Sequence, residues 1–273
     1  MLSLSVIVTT YNRPDALEAV LRAYAVQTYP AFEMLVADDG STSDTQALVE
    51  QYARSAPFPV QHVWQEDQGF RAAAIRNKAL AKARGDYVIF TDGDCIPRNN
   101  FLAQHARLAE PGWFLSGNRV LLSEKFTRQV LAQQWNLPDW SYWRLWAAWV
   151  QRKINRFSPF ITLPDAAFRH RHANEWRGAK TCNLSAWRSD LISVNGLDEA
   201  FTGWGFEDSD LVIRLLRAGV KHKSARFATP VFHLWHQEND RSRMEQNEQK
   251  LLQALNSVHI KAARGLDQYL TAA

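Results

Sequence analysis

The sequence has little cysteine and no long apolar run. Two cysteines in 273 residues, Cys95 and Cys182, cannot form the disulfide framework of a small secreted fold, which favours a reducing compartment. Charged residues or prolines interrupt every apolar stretch before the about 18 residues that a membrane-spanning helix needs. The first residues lack a basic region and a small-residue cleavage site, so we expect a cytoplasmic protein, at most one at the inner face of the membrane.

The chain also carries little excess charge. Its 32 basic and 28 acidic side chains leave a net charge of +4, which is too small and too evenly spread for a nucleic-acid-binding protein. The hydrophobic residues, 46% of the chain, are enough for the core of one large domain over residues 1–273.

Strand-length apolar runs alternate with helix-length segments between residues 2 and 117. The predicted strands are 4–10, 33–37, 60–64 and 87–91, and helices are predicted after Pro14, around 48–52 and over 72–83. This alternation predicts an α/β fold with a mainly parallel sheet and helices on both faces. Near the C terminus the pattern predicts strands 181–187 and 225–233 and helices 207–218 and 241–264.

A tryptophan-rich basic insert, residues 125–177, interrupts the alternation. It has no glycine and nine basic against three acidic side chains, and five of the eleven tryptophans fall between positions 135 and 149. Apolar side chains recur there at helical spacing, at Trp143, Trp146, Val150, Ile154 and Phe157. Indole rings among Arg and Lys are typical of a helix lying on an anionic membrane surface, here within 135–157. A lid on the domain or a homodimer contact would explain these apolar side chains equally well.

Two acidic clusters follow predicted strands, where ligands of a parallel sheet bind. The two carboxylates of Asp92-Gly93-Asp94 can converge on a divalent cation that neutralises a diphosphate; the alternative is a solvated turn. In Asp38-Asp39-Gly40-Ser41, a carboxylate can accept hydrogen bonds from a base or a ribose; the alternative is a helix cap.

Two further motifs lie in the last third of the chain. In Gly203-Trp-Gly-Phe-Glu-Asp-Ser-Asp210, glycines flank an indole and three acids begin a helix, so Asp208 or Glu207 is a candidate general base. His233 and His236 lie at and after the end of a predicted strand. An imidazole added to carboxylates suits Mn²⁺ better than Mg²⁺, although a structural histidine is the alternative for either residue.

Four strings in this order resemble the family-two inverting glycosyltransferases of the GT-A fold, which is Rossmann-like. They are Ser5-Val-Ile-Val-Thr-Thr-Tyr-Asn-Arg-Pro14, Val36-Ala-Asp-Asp-Gly-Ser-Thr42, Asp92-Gly-Asp94 and Gly203-Trp-Gly-Phe-Glu-Asp-Ser-Asp-Leu211. The last string also resembles the galactosyltransferase and chondroitin-polymerase group. The resemblance implies a nucleotide-sugar-binding half at 2–117 and an acceptor and catalytic-base half at 180–240, followed by a C-terminal helix within 241–273. The tryptophan-rich insert has no counterpart in this resemblance.

On the donor side, the resemblance implies that Thr9 and Tyr11 line the nucleotide pocket, with Tyr11 packing on uracil. Asp39, in preference to Asp38, would accept a hydrogen bond from the uracil N3–H. Asp92 would contact the ribose.

The resemblance also implies a metal site, a base and an acceptor site. Asp94 would bind the metal together with His233 or His236, and His233 is preferred. Asp208 would be the base. Glu207 and Trp204 would hold the acceptor sugar, and Arg76 would lie on the substrate side.

These features together predict a metal-dependent inverting glycosyltransferase with Mn²⁺ preferred over Mg²⁺. The expected donor is a UDP-sugar, and the expected acceptor is a glycan or lipid-linked hydroxyl in cell-surface polysaccharide or lipopolysaccharide synthesis. A nucleotidyltransferase is an alternative, but it needs a Gly-rich phosphate loop where Thr9-Thr-Tyr-Asn12 stands. A non-catalytic sugar-binding paralogue is another, but such a protein would be expected to lack an acid from one of these motifs.

Overall fold

The computed structural model describes residues 1–237 and 240–270. Within them the chain forms strands β1 Leu4–Thr10, β2 Phe32–Asp38, β3 Val60–Trp64, β4 Tyr87–Asp92, β5 Cys95–Pro97, β6 Trp113–Ser116, β7 Arg119–Leu121, β8 Asn183–Trp187, β9 Lys221–Ser224 and β10 Val231–His233. The α-helices are α1 Pro14–Ala25, α2 Ser43–Ala53, α3 Ala72–Lys82, α4 Phe101–Leu108, α5 Glu124–Ala132, α6 Tyr142–Val150, α7 Arg188–Ser193, α8 Glu207–Arg217, α9 Met244–Asn256 and α10 Asp267–Leu270.

The central sheet has seven strands in the order β3-β2-β1-β4-β8-β6-β9. β1 to β4 are mutually parallel, β8 runs antiparallel to both of its neighbours, and β9 is parallel to β6. A smaller sheet joins β5, β10 and β7, in which β10 is antiparallel to β5 and parallel to β7. The predicted mainly parallel α/β sheet is therefore confirmed.

Helices cover both faces of the central sheet because successive strand side chains point to opposite sides. Val6 and Val8 of β1 belong to one apolar core together with residues of α1. Ile7, between them, belongs to a second core together with residues of α3 and α8. A strand buried on both faces favours apolar side chains at successive positions, which explains the run Val6-Ile7-Val8.

The tryptophan-rich insert is less helical than its spacing predicts. The predicted helix ends at Val150, and Arg152 takes a left-handed backbone conformation with φ of 55°. The chain then turns back, so that Ile154 is buried and forms a bridge with Leu122. The extension of the amphipathic helix through Ile154 and Phe157 was therefore wrong, because pairing with β7 replaces the last turns.

The side chains of the insert that face inward are also not the ones that the helical spacing predicts. Leu145 and Ala148 are the buried residues of α6, whereas Trp143 is 79% exposed. The earlier tryptophans, Trp135 and Trp140, instead pack against the buried Phe126, each with a centroid separation of 5.8 Å. The five tryptophans therefore divide into an inward pair and an outward group on α6.

Two predictions near the C terminus were too long. The strand predicted at 225–233 forms only over β10, because Phe227 is left-handed with φ of 60° and Pro230 has no N–H for a ladder. The helix predicted at 241–264 forms only over α9, and Arg217 caps its end by donating to the Ala254 and Leu255 carbonyls. Across the described residues, every helix is too short or too polar to span a bilayer.

Candidate active site

The carboxyl ends of three central strands bring two of the acidic clusters together. Thr10 of β1 is paired with Asp38 of β2, and Thr9 is paired with Asp92 of β4. The Gly93 N–H donates to the Thr9 carbonyl at 2.7 Å, and a Cβ at Gly93 would lie only 3.0 Å from the Thr10 side chain. The turn between the two acids therefore needs glycine for its close approach to β1.

Arg76 of α3 joins these strand ends to the start of α8. Its buried guanidinium donates to Thr9 Oγ1 at 3.0 Å, to Asp92 Oδ1 at 3.1 Å and to Glu207 Oε1 at 3.1 Å. One side chain thereby fixes residues from β1, β4 and α8. Motifs that are far apart in the sequence consequently form a single site, as the sequence predicts, although the role of Arg76 towards a donor stays a prediction.

The two acids of the Asp38-Asp39 pair have different surroundings. Asp38 is fully buried, accepts the Ser41 N–H at 2.8 Å and lies 2.9 Å from His62 Nε2, so both of its oxygens hold the turn together. Asp39 instead accepts from Gln65 and from the Arg71 N–H, at 2.6 and 2.7 Å. Burial raises the pKa of Asp39. Both oxygens of each acid are thus already engaged within the protein, and the assignment of Asp39 to the nucleotide stays a prediction.

The loop after β3, residues 65–71, is a part of the site that the sequence analysis missed. It supplies the partners of Asp39, and Asp67 accepts a hydrogen bond from the hydroxyl of the half-exposed Tyr11 at 2.9 Å. This hydrogen bond raises the pKa of Tyr11. The sequence does contain a signal for this loop, because Glu66-Asp67-Gln68-Gly69 follows a predicted strand and is polar, like the two acidic clusters at the other strand ends.

The Gly-Trp-Gly motif forms a strained turn before α8. Gly203, Gly205 and Phe206 all have positive φ, at 78°, 108° and 74°. Trp204 between the glycines is half-buried, and the Arg241 guanidinium lies 5.0 Å from its ring centroid. A left-handed phenylalanine is costly, and such strain is most often kept at functional sites.

The three acids at the start of α8 occupy three different environments. Glu207 is bound by Arg76, and Asp210 forms a buried ion pair with Arg214 at 2.7 Å. Asp208 accepts the Ser209 N–H through Oδ1, and in the described part of the chain its Oδ2 accepts no hydrogen bond. Burial, followed by the neighbouring charge of Glu207, raises the pKa of Asp208 to about 7. Asp208 is thus a half-buried carboxylate that can take a proton near neutral pH.

A group of potential metal ligands lies where β4 meets the smaller sheet. Asp94 Oδ2 is 3.7 Å from His233 Nε2 and 3.4 Å from His236 Nε2. Ligand atoms of Asp94, Cys95 and His233 lie within 4.8 Å of one another. A hydrogen bond with Cys182 and burial hold the pKa of Cys95 well above its ordinary value, which disfavours a thiolate ligand. The carboxylate and imidazoles that remain are a donor set suited to Mn²⁺.

A mainly parallel α/β sheet thus carries acids at its strand ends, where sheets of this kind bind their ligands. The family model of glycosyl transferase family 2 matches residues 5–194, and a model described as the N-terminal domain of galactosyltransferase matches residues 164–237. The chain belongs to glycosyl transferase family 2. The resemblance drawn from the four strings, including its galactosyltransferase-like last string, is confirmed.

Curated relatives are glycosyltransferases and polysaccharide synthases. Validoxylamine A glucosyltransferase of Streptomyces hygroscopicus subsp. jinggangensis is 32% identical over 236 residues, which is 80% of this chain and 52% of that protein. Hyaluronan synthase of Pasteurella multocida is 31% identical over 241 residues, 79% of this chain and 23% of that protein. The chain therefore spans about half of the first relative and about a quarter of the second.

Solved structures of similar fold confirm the GT-A architecture. The mannosyltransferase PcManGT from Pyrobaculum calidifontis, in complex with GDP-Man and Mn²⁺, superposes with a TM-score of 0.63 at 19% identity, covering 93% of this chain and 63% of that one. S. aureus TarS 1–349 in complex with UDP gives a TM-score of 0.62 at 18% identity, covering 98% and 69%. At these identities the likeness concerns the fold.

Proposed function

We propose that this protein is a metal-dependent inverting glycosyltransferase. It moves a sugar from a UDP-linked donor to a hydroxyl of a glycan or lipid-linked acceptor in cell-surface polysaccharide or lipopolysaccharide synthesis. The observation that carries the proposal is the position of Arg76, which holds Asp92 and Glu207 at 3.1 Å each. Asp208 follows Glu207 directly in the chain, and its Oδ2, which accepts no hydrogen bond among the described residues, supports a role as the base of this site.

The donor occupies the ends of β1, β2 and β4 in this proposal. Tyr11 packs on the base, Asp39 accepts from its N3–H, and Thr9 and Asp92 line the ribose side. Support comes from the strand register, since Thr9 and Asp92 are paired residues. TarS, which has been solved in complex with UDP, and PcManGT, solved with GDP-Man, are proteins of similar fold that bind such a nucleotide or nucleotide-sugar.

Asp94 and His233, with His236 beside them, would hold the divalent cation. Such an ion, when bound, supplies positive charge that stabilises a departing nucleoside diphosphate. The donor set of one carboxylate and imidazoles supports Mn²⁺ over Mg²⁺, which prefers oxygen ligands and retained water.

Asp208 acts as the general base. A bond forms between the acceptor oxygen and the anomeric carbon, the bond from that carbon to the diphosphate oxygen breaks, and the acceptor proton passes to Asp208. Attack opposite to the leaving group inverts the anomeric configuration. Glu207 is the weaker candidate because its carboxylate is already bound by Arg76, so it and Trp204 are assigned to positioning the acceptor.

Membership of family 2 sets aside the nucleotidyltransferase alternative, but a non-catalytic sugar-binding protein would share the fold. UDP release from a panel of UDP-sugars distinguishes the two. We expect release that requires Mn²⁺, stops with EDTA and increases when a glycan or lipid-linked acceptor is added. Binding of UDP-sugars with no release under any of these conditions would support the non-catalytic alternative.

Single substitutions of the histidines test the metal site. We expect His233→Ala to weaken Mn²⁺ binding by at least about tenfold, because the imidazole is fixed by β10 and loss of one ligand is rarely compensated. His236→Ala should have the smaller effect, since His236 lies beyond the end of β10 and its side chain is 29% exposed against 13% for His233. Electron paramagnetic resonance of free Mn²⁺ measures both. A larger loss in His236→Ala would reverse the assignment.

A further inference from the structure

The outward side of α6 is an aromatic ridge formed by Tyr142, Trp143, Trp146, Trp149 and Val150. Trp143 is 79% exposed, and the other four are between 45% and 54% exposed. At about 100° per residue, these five positions cover about 120° of the helix circumference, away from the buried Leu145 and Ala148. Five large apolar side chains on one short helix form an exposed patch of a kind that monomeric proteins rarely leave without a partner.

The surroundings of the aromatic ridge are positively charged. Residues 140–156 contain four basic side chains, Arg144, Arg152, Lys153 and Arg156, and no acidic one. The nearest preceding acid, Asp139, is already hydrogen-bonded to the Asn99 and Asn136 amides. Indole rings bordered by Arg and Lys match the interface of a bilayer that contains anionic lipids.

The aromatic ridge lies close to the candidate metal site. Trp149 and Leu121 line the same cavity of about 300 Å³. Leu121 is paired with His233 across β7 and β10. A surface that contacts the ridge would consequently lie one strand away from the metal ligands.

We propose that the aromatic ridge docks on the surface of an anionic lipid bilayer. The proposal goes beyond the proposed function, because it concerns where the enzyme sits and not what it transfers. It would bring the site to the surface on which a lipid-linked acceptor is displayed.

The charge and shape of the ridge favour a bilayer over other occupants. In a twofold dimer the ridge would face its own copy, and the four cations of each chain would repel those of the other. A glycan would be expected in a groove, but Trp143 and Trp146 line neither of the two cavities that flank α6. These two indoles project outward instead, as interfacial anchors do.

Co-sedimentation of the full chain with vesicles tests the proposal. We expect binding to vesicles of phosphatidylcholine with phosphatidylglycerol, little binding to phosphatidylcholine alone, and weaker binding at high salt. Trp143→Ser with Trp146→Ser should reduce the partition coefficient by about tenfold or more, because two indoles lose their interfacial contact. Arg144→Gln with Arg152→Gln should remove most of the salt dependence.

Leu252→Ser is the matched control, since Leu252 is an apolar side chain of α9 that is 53% exposed and lies outside the ridge. It should bind vesicles like the native chain. Thermal unfolding and UDP release without vesicles should be unchanged in the tryptophan variant, which separates this proposal from the catalytic one. No binding to anionic vesicles, or undiminished binding by the tryptophan variant, overturns the proposal. Concentration-dependent dimerisation that the same two tryptophan substitutions abolish would also overturn the proposal.

Discussion

Asp208→Asn is expected to lower turnover by about 10² to 10⁴-fold while nucleotide binding stays close to that of the native protein. The asparagine keeps the size of the side chain and can still accept the Ser209 N–H that Asp208 accepts at 2.7 Å. It cannot take a proton from an acceptor hydroxyl. Turnover is measured as UDP release with acceptor, and binding is measured as UDP affinity by calorimetry.

Asp44→Asn is the control, because Asp44 lies in the first turn of α2, as Asp208 does in α8, but is exposed. It should leave turnover unchanged. If Asp208→Asn retained native turnover, Asp208 would not be the base and Glu207 would become the candidate.

The pH dependence gives a second readout of the same group. Since burial and Glu207 raise the pKa of Asp208 to about 7, a growing fraction is protonated as the pH falls below that value. We expect kcat/KM of the native enzyme to decline on the acid side of about pH 7, and this limb to be absent in Asp208→Asn.

The sequence predicts the first half of the fold well because β1, β2 and β4 are buried along almost their whole length and are rich in apolar residues. β1, β3 and β4 begin where their apolar runs begin, and α1 starts at Pro14, whose fixed φ suits a first helical turn. The insert was harder to predict because Trp143, Trp146 and Val150 have helical spacing but face outward. Helical spacing shows that side chains share a face, but it does not show which partner covers that face. The return of Ile154 to pair with Leu122 depends on a contact that no local pattern contains.

The candidate site was predictable where its residues follow strand ends, as Asp92 and Asp94 do. Their convergence with Glu207 could be expected only from the family resemblance, because the contact is made by Arg76, an arginine in a helix without a distinctive local pattern. The difference between Asp208 and Asp210 was also beyond the sequence. Both are acids in one turn of α8, and only the partner Arg214 shows that Asp210 is structural.

Arg76→Leu is expected to abolish turnover and to lower the free energy of unfolding by about 3–5 kcal/mol, because it leaves buried carboxylates without their cation. Thr9, Asp92 and Glu207 would each lose a hydrogen bond from the guanidinium. Urea unfolding followed by circular dichroism measures the stability, and UDP release per folded molecule measures the activity. Arg76→Lys should recover part of the stability but little activity, since one ammonium group cannot reproduce the three hydrogen bonds that the guanidinium donates.

Arg214→Leu separates the loss of stability from the loss of the site. Arg214 is also buried and paired with a carboxylate of α8, at 2.7 Å, so a similar loss of stability is expected, with activity per folded molecule retained.

The stability deficit of Arg76→Leu should also depend on pH. Burial raises the pKa of Asp92, and the charge of Arg76 opposes that rise, so Arg76→Leu raises the pKa of folded Asp92 further. A group whose pKa is raised in the folded state stabilises that state at pH values below its unfolded pKa. This contribution is lost as the pH increases through its folded-state pKa. The stability deficit of Arg76→Leu should therefore shrink towards acidic pH. A pH-independent deficit, with activity per folded molecule preserved, would mean that Arg76 does not hold Asp92 in the site.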